Sequence, residues 1–288
     1  MDRIRNPVEW SLDQVRLGAL AVASVGHALG GADRDIFAPA PAVRRIAAAD
    51  LAEVLRRGLA DFVAYRTDVV FLCIIYPVMG IILGSLTFNH DMLPLLFPLA
   101  SGFALIGPFA AIGLYELSRR REEVAQGAWP DAFGVVRSPA FGKIVVLGLG
   151  LVAILLAWLA TAQGIYDLTI GPKPPASAAA FLRDVLSTRA GWVLIGAGCG
   201  AGFLYALVAL TISVVSFPLL LDCDVSLGVA VWTSVRAVEA NPGAMAAWGL
   251  IVAGSLVVGS IPMLLGLIIV MPVLGHATWH LYRMLVPR

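Results

Sequence analysis

The chain has 288 residues, 59% of them hydrophobic and 14% charged, with a formal net charge of +1 and a mean hydropathy of +0.88. Soluble domains carry about 25% charged residues, so this composition argues against a soluble enzyme and for an integral membrane protein. Near-neutral charge, with Arg and Lys kept out of the apolar runs, argues against nucleic acid as a partner.

Residues 1–42 carry charge through their first sixteen positions and end in "GGADRDIFAPAPA". They make a poor signal peptide, so they read as a cytoplasmic arm or linker, with the first span serving as an uncleaved signal. Residues 43–67 predict an amphipathic interfacial helix. Leu51, Val54, Leu55, Leu59 and Phe62 share one face, and Glu53, Arg56, Arg57 and Asp61 the other. Asp50, three residues before Glu53, has capping-box spacing.

A bilayer core about 30 Å thick takes about 20 helical residues. Residues 68–286 hold six such stretches: 69–88, 93–114, 143–166, 191–221, and an apolar run over 244–286 that divides near Pro262. The fold class is therefore all-α, a polytopic helical bundle with short amphipathic cytoplasmic helices after spans 2 and 4. Of the 20 Lys and Arg, only Lys173, Arg183 and Arg189 fall on the side away from the N-terminus, so both termini are expected in the cytoplasm. Cys73, Cys199 and Cys223 show no metal or redox spacing and read as packing residues. Gly196, Gly198, Gly200 and Gly202 read as close helix contacts, because no strand precedes them and no Lys-Ser/Thr follows.

Spacings repeat along the chain. Pro108 precedes Arg119 by the same interval as Pro272 precedes Arg283, and Tyr115 and Trp279 fall at matching positions. Pro218, followed by Asp222 and Asp224, gives a partial third copy. Prolines at similar depth would bend these helices and splay their cytoplasmic ends into a vestibule. Chance convergence of helix ends gives the same pattern.

The stretches "SFPLLLDCDVSLGVAVWTSVRAVEANPGAMAAWGLIV", "LGLIIVMPVLGHATWHLYR" and "GPFAAIGLYELSRRRE" resemble an uncharacterised bacterial family of predicted integral membrane proteins, across most of residues 45 to 285. The resemblance rests on Pro218, Asp222, Ser234, Asn241, Pro272, Gly275, His276, Trp279, His280, Tyr282 and Arg283. It implies a multi-pass protein of the bacterial inner membrane, with no activity attached. Some members carry a label likening them to cytochrome c oxidase subunit I. Four histidines, His27, His90, His276 and His280, are too few for that subunit's haems and copper.

His276 and His280 share a helical face, a spacing that lets two imidazoles reach one metal, and Asp222 on the same membrane side could join them. A metal or haem at this pair is one reading. An aromatic and snorkelling belt with Trp279, Tyr282 and Arg283 is the other. Asp222, Asp224, Arg236, Asn241, Trp279 and Arg283 form the wider candidate cluster, in which either Asp224 or Ser226 caps the next helix, or, if the span extends deeper, Asp222 pairs with Arg236, Arg283 or a histidine. No HExxH, GxSxG, kinase or Ser/His/Asp motif is present. The leading expectation is a non-enzymatic accessory, assembly or scaffold component of a membrane complex, beside a small transporter-like unit and a metal- or haem-binding protein.

Overall fold

The computed structural model describes residues 40–73, 90–123, 134–136, 138–262 and 264–287, and every regular element among them is helical. The predicted arm lies almost wholly outside the described residues, as does most of the predicted first span at 69–88.

Helix α1 (Leu51–Cys73) follows a 3-10 turn, Ala48–Asp50. Asp50 accepts the Ala47 N–H at 2.8 Å, while Glu53 is held by Arg56 and Arg57 at 2.6 and 2.7 Å. Those guanidinium hydrogen bonds, Arg56 first, bring the Glu53 carboxyl down to about 2. The buried positions of α1 are 51, 54, 58, 61 and 65, alternating intervals of three and four that make a narrow helix–helix seam. This corrects the predicted face: Leu59 is 49% exposed and Asp61 only 5%. The seam is set by α10 (Leu267–Leu285), the helix against which α1 packs most extensively. At their closest approach a Cβ on Gly58 would lie 2.7 Å from the Ala277 backbone nitrogen, so only glycine fits.

Among the described residues, four helical stretches are long and apolar enough to cross a membrane: Leu93–Glu123, Phe141–Thr169, Arg189–Asp222 and Pro242–Ser260. The first comprises α2 (Leu96–Ala110) and α3 (Ile112–Glu123), the second α4 (Phe141–Thr169). A short helix, α5 (Ala178–Ser187), leads to α6 (Arg189–Ser213) and α7 (Ser216–Asp222), which form the third. Helix α8 (Leu227–Ala240), capped by the Ser226 hydroxyl, connects to the fourth, α9 (Pro242–Ser260). The predicted break at Pro262 separates α9 from α10, with Leu264 at φ 67°. That hairpin closes on two glycines: a Cβ on Gly266 would stand 2.7 Å from the Gly259 carbonyl oxygen. Helix α10 fills the predicted sixth stretch, but His276, His280 and Arg283 interrupt its apolar character and it is not among the four.

Helices α2, α4 and α6 pack on one another. The buried Trp158 is central to them, donating its Nε1–H to the Pro98 carbonyl at 2.9 Å and lying under Gly202. Gly196, Gly198 and Gly200 meet nothing within 4 Å, and Cys199 and Cys223 are exposed. The packing roles expected of these residues therefore hold only for Gly202 among the four glycines, and for neither Cys199 nor Cys223.

The first and third spans have 31 and 34 residues, against the roughly 20 that a bilayer requires. The excess is α3 and α7. A proline cannot donate to the carbonyl four residues back and clashes with it. The break at Val214–Val215 falls on the carbonyl four residues before Pro218, while the break at Ala111 comes three residues after Pro108, and Pro272 leaves α10 continuous. Past these breaks the ends converge instead of splaying: α3 packs on α7, and both touch α10. After α3, the region where a second cytoplasmic helix was predicted shows, in its described part, a single 3-10 turn at 134–136.

Candidate functional site

The junction of α1, α3 and α10 encloses a polar network. Asp61 projects from the α1 seam, Ser118 and Arg121 from α3, and His276 and His280 from α10. Asp61 Oδ2 accepts from Ser118 Oγ at 2.6 Å and from His280 Nε2 at 2.8 Å. Arg121 Nη1 donates to Asp61 Oδ1 and to the Ala60 carbonyl. Burial pushes the Asp61 carboxyl up, but the hydrogen bonds from His280 and Ser118 outweigh it and hold the group below its ordinary value.

Ser118 Oγ also lies 2.7 Å from His276 Nδ1. A hydroxyl has one proton, and a carboxylate only accepts. Ser118 therefore donates to Asp61 and receives the Nδ1–H of His276, which leaves Nε2 of the neutral imidazole as a bare lone pair. That nitrogen is buried and has no hydrogen-bond partner among the described residues. The His276 ring is 0% exposed and lies roughly parallel to Tyr65, with centroids 6.3 Å apart. The structure thus brings a serine, a histidine and an aspartate together where no sequence motif announced them. Their order differs from that of a hydrolytic triad, in which the histidine stands between the other two and takes the serine proton.

A second cluster joins the ends of α3, α7 and α10. Arg283 binds Glu122 at 2.8 Å and Asp222 at 3.0 Å. Tyr282 donates its hydroxyl to Asp222 at 2.8 Å, and Trp279 donates its Nε1–H to Glu122 at 3.0 Å. The guanidinium stands over the Trp279 ring, 5.5 Å from its centroid. Glu116, buried on α3, is held by Arg119 and Arg120 at 2.8 and 2.6 Å.

The predicted residues thus divide. His276 and His280 belong to the first cluster, and Asp222, Trp279 and Arg283 to the second. Of the pairings foreseen for Asp222, the one with Arg283 is present. Of the two capping candidates, Ser226 caps α8, while Asp224 is exposed and pairs with Lys143 at 2.8 Å. Arg236 is exposed on α8. Asn241 precedes α9 and clasps the chain ahead of α1, accepting the Ile46 N–H at 2.7 Å and donating to the Arg44 carbonyl at 3.1 Å. Among the described residues no group of three or more His, Cys, Asp or Glu is arranged to hold a metal ion. Asp61, Ser118, Arg121 and Glu122 were not foreseen. Asp61 carried a signal, since the 3-4-3-4 spacing around it is a seam pattern. Ser118 carried none.

Apolar helices of spanning length, with a polar knot at the ends of two that are longer than a bilayer requires, define a polytopic helical membrane protein. Residues 96–222 match the family described as "Predicted integral membrane protein (DUF2189)". The matched region includes "GPFAAIGLYELSRRRE", Pro218 and Asp222, and is narrower than the span over which the resemblance was drawn. No curated protein and no solved structure matches the chain.

Proposed function

We propose that the chain is a non-catalytic subunit of a larger membrane complex, an accessory or assembly component of the bacterial inner membrane with both termini in the cytoplasm. The observation that carries this reading is the contrast between its two regions. In the knot, ionisable groups are spent on one another. In the spans, apolar surface is left for neighbours: only 28% of the most apolar stretch of α4, and 22% of that of α9, is buried inside the chain. Surface of this kind suits lipid or the helices of other subunits, which associate in a bilayer through small residues and close packing. Ser118 supports the same reading, because it gives its proton to Asp61 and is not activated as a nucleophile.

The test is extraction of the tagged chain from its native membranes in a mild detergent, followed by size-exclusion chromatography and mass spectrometry of the peak. A stoichiometric membrane partner is the expected result. A monodisperse species containing this chain alone would overturn the proposal.

A further inference from the structure

The basic residues on the knot side of the molecule are unevenly committed. Arg56 and Arg57 bind Glu53, Arg119 and Arg120 bind Glu116, Arg121 binds Asp61, Lys143 binds Asp224, and Arg283 binds Asp222 and Glu122. Arg44, Arg45 and Arg236 have no such partner among the described residues, and all three are exposed.

These three are brought to one corner by Asn241. Its side chain donates both to the Arg44 carbonyl, at 3.1 Å, and to the carbonyl of Ala237, the neighbour of Arg236, at 3.0 Å. The Ile46 N–H is held by the same side chain, and the Arg44 N–H is held by the Leu285 carbonyl at 2.7 Å. The backbone beneath Arg44 and Arg45 is therefore fixed, while their guanidinium groups are free. Asn241 stands immediately before the span that starts at Pro242, which sets this corner at a bilayer face. One turn before Arg236, Trp232 is 56% exposed, and tryptophan favours the headgroup level of a membrane. Glu239 is the one acidic residue on the same helix, and Asp50, exposed on the turn that follows Arg44 and Arg45, accepts the Ala47 N–H, leaving three cations against two carboxylates.

We propose that Arg44, Arg45 and Arg236, with Trp232 beside them, bind the phosphate headgroup of an anionic lipid. Guanidinium groups match phosphate oxygens bidentately, and the indole supplies the interfacial anchor. The site needs no rearrangement, since none of the three arginines leaves a carboxylate to reach a lipid.

The experiment reconstitutes the full chain in nanodiscs of phosphatidylcholine with a minority of phosphatidylglycerol, re-extracts it in detergent and measures the retained lipid by mass spectrometry. Wild type is expected to retain phosphatidylglycerol above its bulk fraction. Each single Arg→Gln variant weakens phosphatidylglycerol binding roughly fivefold at low ionic strength and so lowers the enrichment, and R44Q/R45Q/R236Q brings it to the bulk fraction. R183Q, in the connection on the opposite side, leaves it unchanged. Because the three side chains are exposed and unpaired, the triple variant should elute and melt as wild type does. Equal enrichment in wild type and triple variant overturns the site. So does displacement of the lipid by millimolar inorganic phosphate, which would identify a soluble anion, or arginine-dependent capture of an acidic protein with lipid retention unchanged.

Discussion

Asp61 concentrates the chemistry of the knot in one side chain, because three donors from two other helices converge on it. Removing the carboxylate in D61A strands Arg121, His280 and the Ser118 hydroxyl together. Breaking a fully buried ion pair costs about 3–5 kcal/mol, but Arg121 keeps 36% of its side chain in contact with solvent, so a loss of about 2–3 kcal/mol is expected in thermal unfolding in detergent. The pH dependence has a definite sign. A carboxyl held below its unfolded value contributes stability above the ordinary carboxylate range, and that contribution fades as pH falls through the lower folded value. The gap between wild type and D61N should therefore be full at pH 6, begin to narrow only below about pH 4, and close as pH falls through the lower folded value; a gap that did not narrow in strong acid would rule out the Asp61 charge as its source. His276 permits a finer test. Asparagine can place an amide N–H where Nδ1–H stands and omits the unpartnered Nε2, whereas leucine deletes the donor to Ser118. H276N should stay within about 1 kcal/mol of wild type and H276L should lose about 1–3. If the asparagine variant were the worse of the two, the lone pair of Nε2 would have a partner or a task.

The seam between α1 and α10 rests on Gly58. Even a methyl at this position would meet the backbone of Ala277, and backbone cannot be moved aside as a flexible side chain can. G58L should separate the two helices, at a cost of about 1–3 kcal/mol or more for an overpacked contact, and take the Asp61–His280 hydrogen bond with it. G58L and D61A should then be strongly non-additive, and additive losses would show that the seam and the network form independently. This element also shows what was legible in the sequence. The spans were readable because apolar length is a direct response to bilayer thickness: the expected 143–166 and 191–221 lie within a few residues of Phe141–Thr169 and Arg189–Asp222. The break at Pro262 was readable too, from excess length, and a partner for Asp222 from the cost of a carboxylate near membrane depth, though the choice of Arg283 over Arg236 or a histidine was not. The face of α1 was not. Two stripes of the same helix are apolar enough to bury, and the choice between them is made by Gly58 meeting Ala277, a contact between residues far apart in the chain. Ser118 was invisible for a related reason, since a serine inside a helix looks the same whether it faces solvent or a buried histidine.

At the scale of the whole molecule, two of the spanning stretches are longer than a bilayer requires, and their last turns are tied to α10. The tie is asymmetric in a way that makes it testable. Arg283 meets Asp222, whose side chain is 5% exposed, and Glu122, which is 29% exposed. The same charge therefore makes one contact largely sheltered from water and one substantially screened. E122Q removes the outer contact and should cost under about 1 kcal/mol, as partly exposed pairs do. R283Q withdraws the guanidinium from both carboxylates and from the face of Trp279 at once, leaving Asp222 as a sheltered anion, and should cost about 2–4 kcal/mol. Since α3, α7 and α10 come from distant parts of the chain, the loss should also appear as geometry. Spin labels placed at Glu123 and Asp224, in a background with the native cysteines replaced, should report a narrow distance distribution in wild type and E122Q, and a broad, longer one in R283Q. Equal melting losses for the two variants, with unchanged distances in both, would mean that apolar contacts alone hold the three helix ends together and that the clasp only decorates them. Broadening confined to R283Q would instead make Arg283 the residue that converts two overlong membrane helices and a third, more polar one into a single rigid unit.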